Sequence, residues 1–224
     1  MNMLHSRESN DQATWSRLIA TSHTQDGLTI ADIRAKAMRS LERFQRATMQ
    51  RIAANGEFMV EANDMGAVQS LASRGPFVAG PHLNLYNETS LAWMAQRGAS
   101  RWVAPLEMAQ GDLRLMQKSR PAGLETEVLV QGRMSLAFSA RCFTARHFNL
   151  NKDDCGFRCI EHADGQLLKS REGEAFLTLN GIQTQSAKVH NLIADVPQLA
   201  SLGVDILRIS PQGLHTADIV AAFD

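Results

Sequence analysis

The chain has 224 residues, of which 44% are hydrophobic, and its 23 basic side chains are balanced by 23 acidic ones. This length and hydrophobic fraction fit one domain with a sizeable core, and the balanced charge excludes an overall field that draws the protein to nucleic acid or an anionic membrane. No apolar stretch approaches the ~20 residues that span a bilayer, and residues 1–10 lack the apolar run of a secretory signal. We therefore expect a cytoplasmic protein without a transmembrane segment.

The N-terminal part divides into a polar leader and a basic helix. Residues 1–28 show no periodic pattern and are predicted to form a mobile leader. A helix is predicted from Thr29, with Asp32 in capping-box spacing, to Asn55. This helix carries Arg34, Lys36, Arg39, Arg43, Arg46 and Arg51. Such a run is typical of a solvent-facing side, so RNA association is kept only as an alternative and no nucleic-acid partner is expected.

From residue 58 onward, short apolar runs alternate with helical patterns. Strands are predicted at 58–62, 76–80, 102–105, 125–130, 176–179 and 204–209. Helices are predicted at 64–73, 87–97 and 111–118, at 189–202 with an interruption near Pro197, and at the C-terminus. This alternation indicates α/β architecture with a parallel sheet. No Gly-x-Gly-x-x-Gly follows a strand, which disfavours a dinucleotide site.

The preferred fold is TIM-barrel-like, built from (βα) units. A complete eight-fold barrel typically uses about 250 residues, so this one is expected to be incomplete or open. Residues 29–224 would form a single domain. Polar residues beyond the strand ends are expected to line its functional face: Glu61, Asp64, His82, Asn84, Glu107, Gln131, Arg208 and Ser210. Four of them are our candidate substrate-binding residues: Asn84, Glu107, Gln131 and Arg208. No catalytic role is assigned.

The chain has three cysteines, and all of them lie in the segment 142–159. Cys155 and Cys159 are spaced as one helical turn, which would let their thiols point the same way. Clustered thiolates select iron–sulfur clusters or zinc. Inert buried thiols are the plain alternative, and an odd count in a reducing compartment disfavours a disulfide framework.

The residues around the cysteines also carry a family resemblance. Residues 139–146 and 152–155, with Cys159, closely resemble the ubiquinone-biosynthesis branch of the collagenase-like peptidase family. Shorter matches occur at residues 56–62, 76–80, 86–87, 180–184 and 208–213, so that the resemblance runs from about Leu41 to Phe223.

The resemblance implies a function that residue patterns alone do not give. Members of this branch have a barrel-like α/β fold and carry a [4Fe-4S] cluster on four cysteines, of which Cys142, Cys155 and Cys159 would be three. They form a heterodimer with a homologous subunit, UbiU, for oxygen-independent hydroxylation of a polyprenylated phenol precursor. A lipid-carrying accessory protein is a further expected partner.

Two departures from the family pattern bear on these expectations. The early family cysteine and the C-terminal extension have no counterpart here, so we expect a divergent member or a chain shortened at both ends. The fourth ligand would then come from water, substrate, His147, His162 or the partner; a three-iron cluster or a cluster-deficient protein is also open.

Peptidase relatives have His and Cys where this chain has Gln131 and Ser135, and Gln131 cannot act as a base, so peptidase activity is not expected.

A structural zinc site remains the alternative from a different class. Cys142, Cys155 and Cys159 with His147 or His162 would complete a tetrahedral zinc site. A zinc protein would be colourless and indifferent to oxygen, whereas an iron–sulfur protein would be brown and would bleach in air.

Overall fold

A computed structural model describes residues 47–54, 56–139, 142–151, 154–211 and 213–224. The leader predicted over residues 1–28 and most of the basic helix lie outside these ranges. The described part of that helix, α1, covers residues 47–53 and is followed by a turn at residue 54. This position agrees with the helix end predicted at Asn55.

A parallel sheet with helices between its strands confirms the predicted α/β class. Its parallel strands lie side by side in this order: β1 (Glu61–Ala62), β2 (Phe77–Ala79), β3 (Ala99–Val103), β4 (Glu125–Gly132) and β10 (Ile206–Ile209). The helices after the first three strands are α2 (Met65–Leu71), α3 (Glu88–Gln96) and α4 (Gln110–Lys118). This arrangement is consistent with an incomplete TIM-barrel-like fold.

Two of these helices begin where side-chain chemistry favours a start. The Asp64 carboxylate accepts a hydrogen bond from the Ala67 backbone N–H at 2.9 Å, and the Asn87 side chain accepts one from the Ser90 backbone N–H at 2.8 Å. Each bond satisfies one of the N–H groups that a helix leaves unpaired in its first turn. The sequence alone thus locates both starts.

The two faces of the parallel sheet differ in chemistry. One face packs against the helices and forms a core that includes Ala62, Phe77, Ala79, Trp102 and Val130 from the strands, with Val68, Leu91, Met94, Leu113 and Met116 from the helices. Burying each large side chain contributes about 1.5–3 kcal/mol. Register partners on parallel strands share a face, so the opposite, inner face carries the laterally paired series Glu61, Val78, Arg101 and Glu125.

A second, antiparallel sheet follows β4 in the chain. Its strands are β5 (Ser135–Phe138), β6 (Gln166–Lys169), β7 (Ala175–Asn180) and β8 (Gln183–Ser186), in the order β5-β8-β7-β6. Only β7 was predicted. The cysteine segment and the short helix α5 (Phe143–His147) lie between β5 and β6.

The prediction of a mainly helical stretch at 189–202 is only partly right. The short strand β9 (His190–Asn191) pairs antiparallel with the end of β4, and a 3-10 turn (Ile193–Asp195) precedes α6 (Val196–Ser201). Pro197 lies in the first turn of α6, where its missing N–H breaks no helical bond. It therefore begins a helix rather than interrupting one.

The last strand, β10, is followed by α7 (Thr216–Phe223), as predicted. Within the described ranges, no helix combines the length and apolar character needed to cross a bilayer.

Candidate functional site

A groove of about 440 Å³ opens at the carboxyl ends of β2, β3 and β4. It is lined by Pro81, His82, Asn84, Leu106, Glu107, Met134, Ser135 and Leu136. This is the edge at which barrels of βα units place their functional residues, because the loops after the strands converge there. The groove brings together three polar residues that the sequence predicted for this face, His82, Asn84 and Glu107. We refer to it as the polar groove.

Glu107 does not stand alone in the polar groove, because the Tyr86 hydroxyl donates a short hydrogen bond to its carboxylate. This bond is the largest cause lowering the pKa of Glu107, and the positive charge of a protonated His82 lowers it further. The same bond is the largest cause raising the pKa of Tyr86. Glu107 is thus held as a carboxylate and Tyr86 as a neutral phenol.

The backbone after β2 shapes one wall of the polar groove. Asn84 has φ = 55° and ends the 3-10 turn Pro81–Leu83, a left-handed conformation that asparagine tolerates better than most residues. The ring of His82 meets Phe138 edge-on, with centroids 5.2 Å apart. Because Phe138 belongs to β5, the antiparallel sheet helps to form the groove.

Beneath this edge, Arg208 lies between two glutamates on the inner face. Its Nε donates to Glu127 on β4, and its Nη2 donates to Glu61 on β1; both contacts are short. Burial by itself lowers the pKa of Arg208, but the hydrogen bonds and charges of Glu61 and Glu127 outweigh it, so the net pKa is raised. Arg208 therefore remains a cation held between two carboxylates.

Arg101 extends this network along the sheet. It contacts Glu127 at 3.3 Å and Glu125 at 3.0 Å. The side chain of Glu127 is only 6% exposed, and it pairs with two guanidinium groups, those of Arg101 and Arg208. Pairing and hydrogen bonding of this kind are what make a buried carboxylate tolerable.

Asn63 connects the charged network to the polar groove. Its amide Nδ2 donates to Glu61 at 2.7 Å, and its Oδ1 accepts from the backbone N–H of His82 at 3.3 Å. A Cβ added at Gly80 would lie 2.2 Å from Asn63 Oδ1, so only glycine leaves room for this contact. Asn63 therefore links the Glu61 carboxylate to the backbone of His82 by two hydrogen bonds.

Gln131 was predicted to lie beyond a strand end, but it lies within β4 and is 7% exposed. Its side-chain Oε1 has no hydrogen-bond partner among the described residues. By strand alternation it shares the inner face with Glu127 and Leu129. Arg208 likewise lies within its strand rather than after it. A substrate-binding role for either residue stays a prediction.

Tyr86, Glu127, Arg101 and Asn63 of this region were not among the residues predicted from the sequence. Tyr86 appeared only as part of a family match, and nothing in its neighbourhood indicates a bond to Glu107. Glu127 was overlooked inside a predicted apolar strand. The alternation of Glu125 and Glu127 was an available signal, since two carboxylates two residues apart on a strand lie on one face.

A second cavity, of about 270 Å³, adjoins the polar groove and is mainly apolar. Its lining includes Ala104, Met108, Leu113, Val128, Leu129, Leu192 and Leu199, with His190 and Asp195 as its titratable groups. Leu106 and Met134 line both cavities. We call this second space the apolar cavity.

The three cysteines are all free and half-buried. The Cys142 sulfur caps α5, accepting from the Ala145 N–H at 3.5 Å. Gly156 and Phe157, between Cys155 and Cys159, both have positive φ (57° and 52°). This backbone is not one continuous helix, so Cys155 and Cys159 are not separated by the single helical turn that their spacing suggested.

Aromatic and cationic contacts pack α5 against the 3-10 helix Arg158–His162. Phe148 stacks on His162 with centroids 6.0 Å apart, and the Arg158 guanidinium lies 4.9 Å from the centre of the Phe148 ring. Arg158 also pairs with Glu161 at 3.0 Å. These contacts bring the element holding Cys159 next to the one that Cys142 caps.

Thiolates are the right donors for an iron–sulfur cluster or zinc, but their arrangement here does not form a ready-made site. Over the part of the chain that the structure describes, no three His, Cys, Asp or Glu side chains are grouped so as to hold a metal ion. Metal binding is commonly coupled to local folding, so a bound metal would have to draw these thiols together. Ligation by Cys142, Cys155 and Cys159 stays a prediction.

Comparison with known proteins shows the family to which this chain belongs. The signature of peptidase family U32 matches residues 35–222, and the chain belongs to this family. It is also 25% identical over 130 residues to the tRNA hydroxylation protein P1 of Bacillus subtilis (strain 168), an alignment covering 56% of this chain and 30% of that protein. The chain thus spans less than a third of that relative's length. No solved structure matches the chain.

Proposed function

We propose that this chain is a subunit of an oxygen-independent hydroxylase, similar to the ubiquinone-biosynthesis protein UbiV. Membership of peptidase family U32 supports this, as does the similarity to a protein named for tRNA hydroxylation. The resemblance of the cysteine segment to the ubiquinone branch selects the finer assignment. A homologous UbiU-like subunit would be its partner in the cytoplasm, and a polyprenylated phenol its substrate.

The observation that carries a hydroxylation role is Glu107 of the polar groove with its partner Tyr86. A carboxylate held in its charged form can accept a hydrogen bond from the hydroxyl of a phenolic substrate and so position the ring. Tyr86 would orient Glu107, while His82 and Asn84 offer hydrogen bonds to the polar edge of the ring. The oxygen atom and the two-electron oxidation would come from a donor other than dioxygen, and the groove is assigned only the positioning of the ring.

In this proposal Cys142, Cys155 and Cys159 hold a [4Fe-4S] cluster. When bound, such a cluster supplies one-electron transfer. No step in the groove is assigned to it. The same thiols with His147 or His162 would instead bind zinc if the protein is a structural module.

A tRNA substrate is the second candidate, favoured by the name of the Bacillus subtilis relative. The described linings of both cavities contain no lysine or arginine, whereas binding of nucleic acid relies on cations near the phosphates. This lining favours the phenol over the nucleotide.

Metal content tests the cluster assignment. The chain would be purified without oxygen together with a UbiU-like subunit, and iron and acid-labile sulfide would be measured. We expect both in near-equal amounts, and we expect Cys155→Ala to lose most of them, while Ser170→Ala on the exposed β6–β7 turn retains them. Zinc without sulfide, or unchanged iron in Cys155→Ala, would refute it.

Turnover tests the substrate and the role of Glu107. The purified pair would be incubated without dioxygen, in a small-molecule extract of anaerobic cells that supplies the oxygen donor, with either a prenylated phenol or tRNA, and mass spectrometry would detect the gain of one oxygen atom. We expect hydroxylation of the phenol, and a fall of about 100-fold in Glu107→Gln from loss of positioning. Hydroxylation of tRNA alone would transfer the function to the second candidate.

A further inference from the structure

The polar groove and the apolar cavity meet at two shared side chains. Leu106, in the loop after β3, and Met134, between β4 and β5, contribute to the lining of both. Leu106 is half-buried, and Met134 is a flexible thioether that can change rotamer at little cost. A ligand can therefore extend from one space into the other by displacing unbranched or terminal methyl groups rather than backbone.

The linings of the two spaces differ in chemistry. The polar groove offers the Glu107 carboxylate, the His82 imidazole and the Asn84 amide. The apolar cavity offers mainly aliphatic side chains. The carboxylate, imidazole and amide can hydrogen-bond a ligand hydroxyl, while an aliphatic wall gains from burial of hydrocarbon.

The charges of the side chains that line the two spaces narrow the class of ligand further. In the described part of the chain, the titratable groups lining the two spaces are Glu107 and His82 on one side, and Asp195 and His190 on the other. Anionic groups would meet carboxylates with no lysine or arginine to offset them. The lining thus disfavours an anionic polar end of the ligand.

We propose that the two spaces are the two compartments of one binding cleft, taking an uncharged hydroxylated ring in the polar groove and its hydrocarbon chain in the apolar cavity. This inference rests on the proposed function in treating the polar groove as the substrate site. The inference adds a subsite, formed by Ala104, Met108 and Leu129, for the first carbons of the ligand's hydrocarbon chain. It also places Leu106 and Met134 at the boundary between the two compartments.

The test is a chain-length series measured by calorimetry on the full-length protein. The probes are phenol, 4-ethylphenol, 4-butylphenol and 4-hexylphenol, with 4-butylbenzoate as the charged counterpart. We expect affinity to rise about fourfold for each methylene buried and to level off once the apolar cavity is full. 4-Butylbenzoate should bind more weakly than 4-butylphenol. An affinity independent of chain length, or equal binding of the benzoate, would overturn the proposal.

Two substitutions separate the compartments. Ala104→Phe fills the apolar cavity and should abolish the chain-length increment while phenol itself still binds, which also shows that the variant folds. Met108→Trp offers a second filling variant at a half-buried position. Leu115→Phe, at a residue 62% exposed and outside both linings, is the matched control and should keep the increment. A persisting increment in both filling variants would refute the apolar subsite.

The same series distinguishes this inference from the proposed function. Glu107→Gln should weaken every phenol by a similar factor and leave the increment per methylene unchanged. If the affinities of the series behave as expected but no hydroxylation is found, the binding cleft is supported and the proposed reaction is refuted. If hydroxylation occurs without an effect of chain length on affinity, the reaction is supported and the apolar subsite is refuted.

Discussion

Arg208 and Glu61 lie on the two outer strands of the parallel sheet path, yet the Arg208 guanidinium donates to the Glu61 carboxylate across the inner face. Glu127, on the strand beside β10, binds the same guanidinium. One arginine side chain can reach both only if the sheet curls toward this face. The ion pairs thus span an open barrel from edge to edge.

We expect Arg208→Leu to destabilise the protein by about 2–3 kcal/mol. The Arg208 and Glu61 side chains are 31% and 27% exposed, so the loss should lie at or below the lower end of the range for broken buried ion pairs. It arises largely from leaving Glu127 without one of its cations. Urea unfolding measures the change. Glu161→Gln is the control, because its pair with Arg158 is about half exposed and should contribute less than about 1 kcal/mol. Equal effects of the two substitutions would contradict the bridging role.

Gly80→Ala should destabilise by about 1–3 kcal/mol, the usual cost of overpacking. The added Cβ would lie 2.2 Å from Asn63 Oδ1 and 2.8 Å from Glu61 Oε1, forcing Asn63 away from His82. Gly111→Ala is a matched control: it lies in α4, where an added Cβ would meet nothing within 4 Å, and should stabilise by about 0.5–1 kcal/mol. Thermal unfolding of both variants provides the comparison, and a neutral Gly80→Ala would show that this close approach is not required.

Tyr86→Phe should raise the pKa of Glu107, because the hydroxyl that donates to the carboxylate is the largest cause of its lowering. The sign follows from linkage: a lowered carboxyl pKa stabilises the fold above the ordinary glutamate range, and this contribution is lost as the pH falls through the folded-state pKa. The raised pKa of Tyr86 gives a contribution lost at alkaline pH instead. Carbon-13 NMR titration of Glu107 checks the shift. An unchanged titration midpoint would mean that the bond does not persist in solution.

Gln131→Met should leave stability unchanged or increase it, because it removes a buried carbonyl oxygen without a partner among the described residues and keeps a similar shape. If Gln131 also contacts substrate, the same variant should lose turnover of the phenol. Stability and turnover are therefore measured together on one preparation. A destabilisation of more than about 2 kcal/mol would indicate an essential hydrogen bond of the amide in the folded protein.

Local sequence signals predict the helices and strands of the parallel sheet well. Asp64 and Asn87 mark helix starts by their capping chemistry, and the apolar runs at β2 and β4 identify buried strands. The antiparallel sheet was largely missed, because strands such as β6 and β8 are short and exposed or half-exposed. Both pair with β7 through short connections, so their signal lies in the turns rather than in local hydrophobicity.

In the candidate site, too, the sequence predicted some residue positions well and others poorly. Asn84 and Glu107 were predicted to share one edge because both follow parallel strands, and they line one groove. The positions of Gln131 and Arg208 were predicted less well, because a strand boundary depends on its neighbours: β4 extends to Gly132 by pairing with β9. The cysteine spacing suggested a common helix that two left-handed residues exclude.

The sequence by itself determined the α/β class, the alternation of strands and helices, and the family resemblance, because these rest on local periodicity, capping and short motifs. Only the tertiary structure decided that Tyr86 binds Glu107 and that Arg208 binds Glu61, 147 positions away. Such pairs form when the sheet curls and its loops converge, and their free energy depends on burial and distance, which no local pattern encodes.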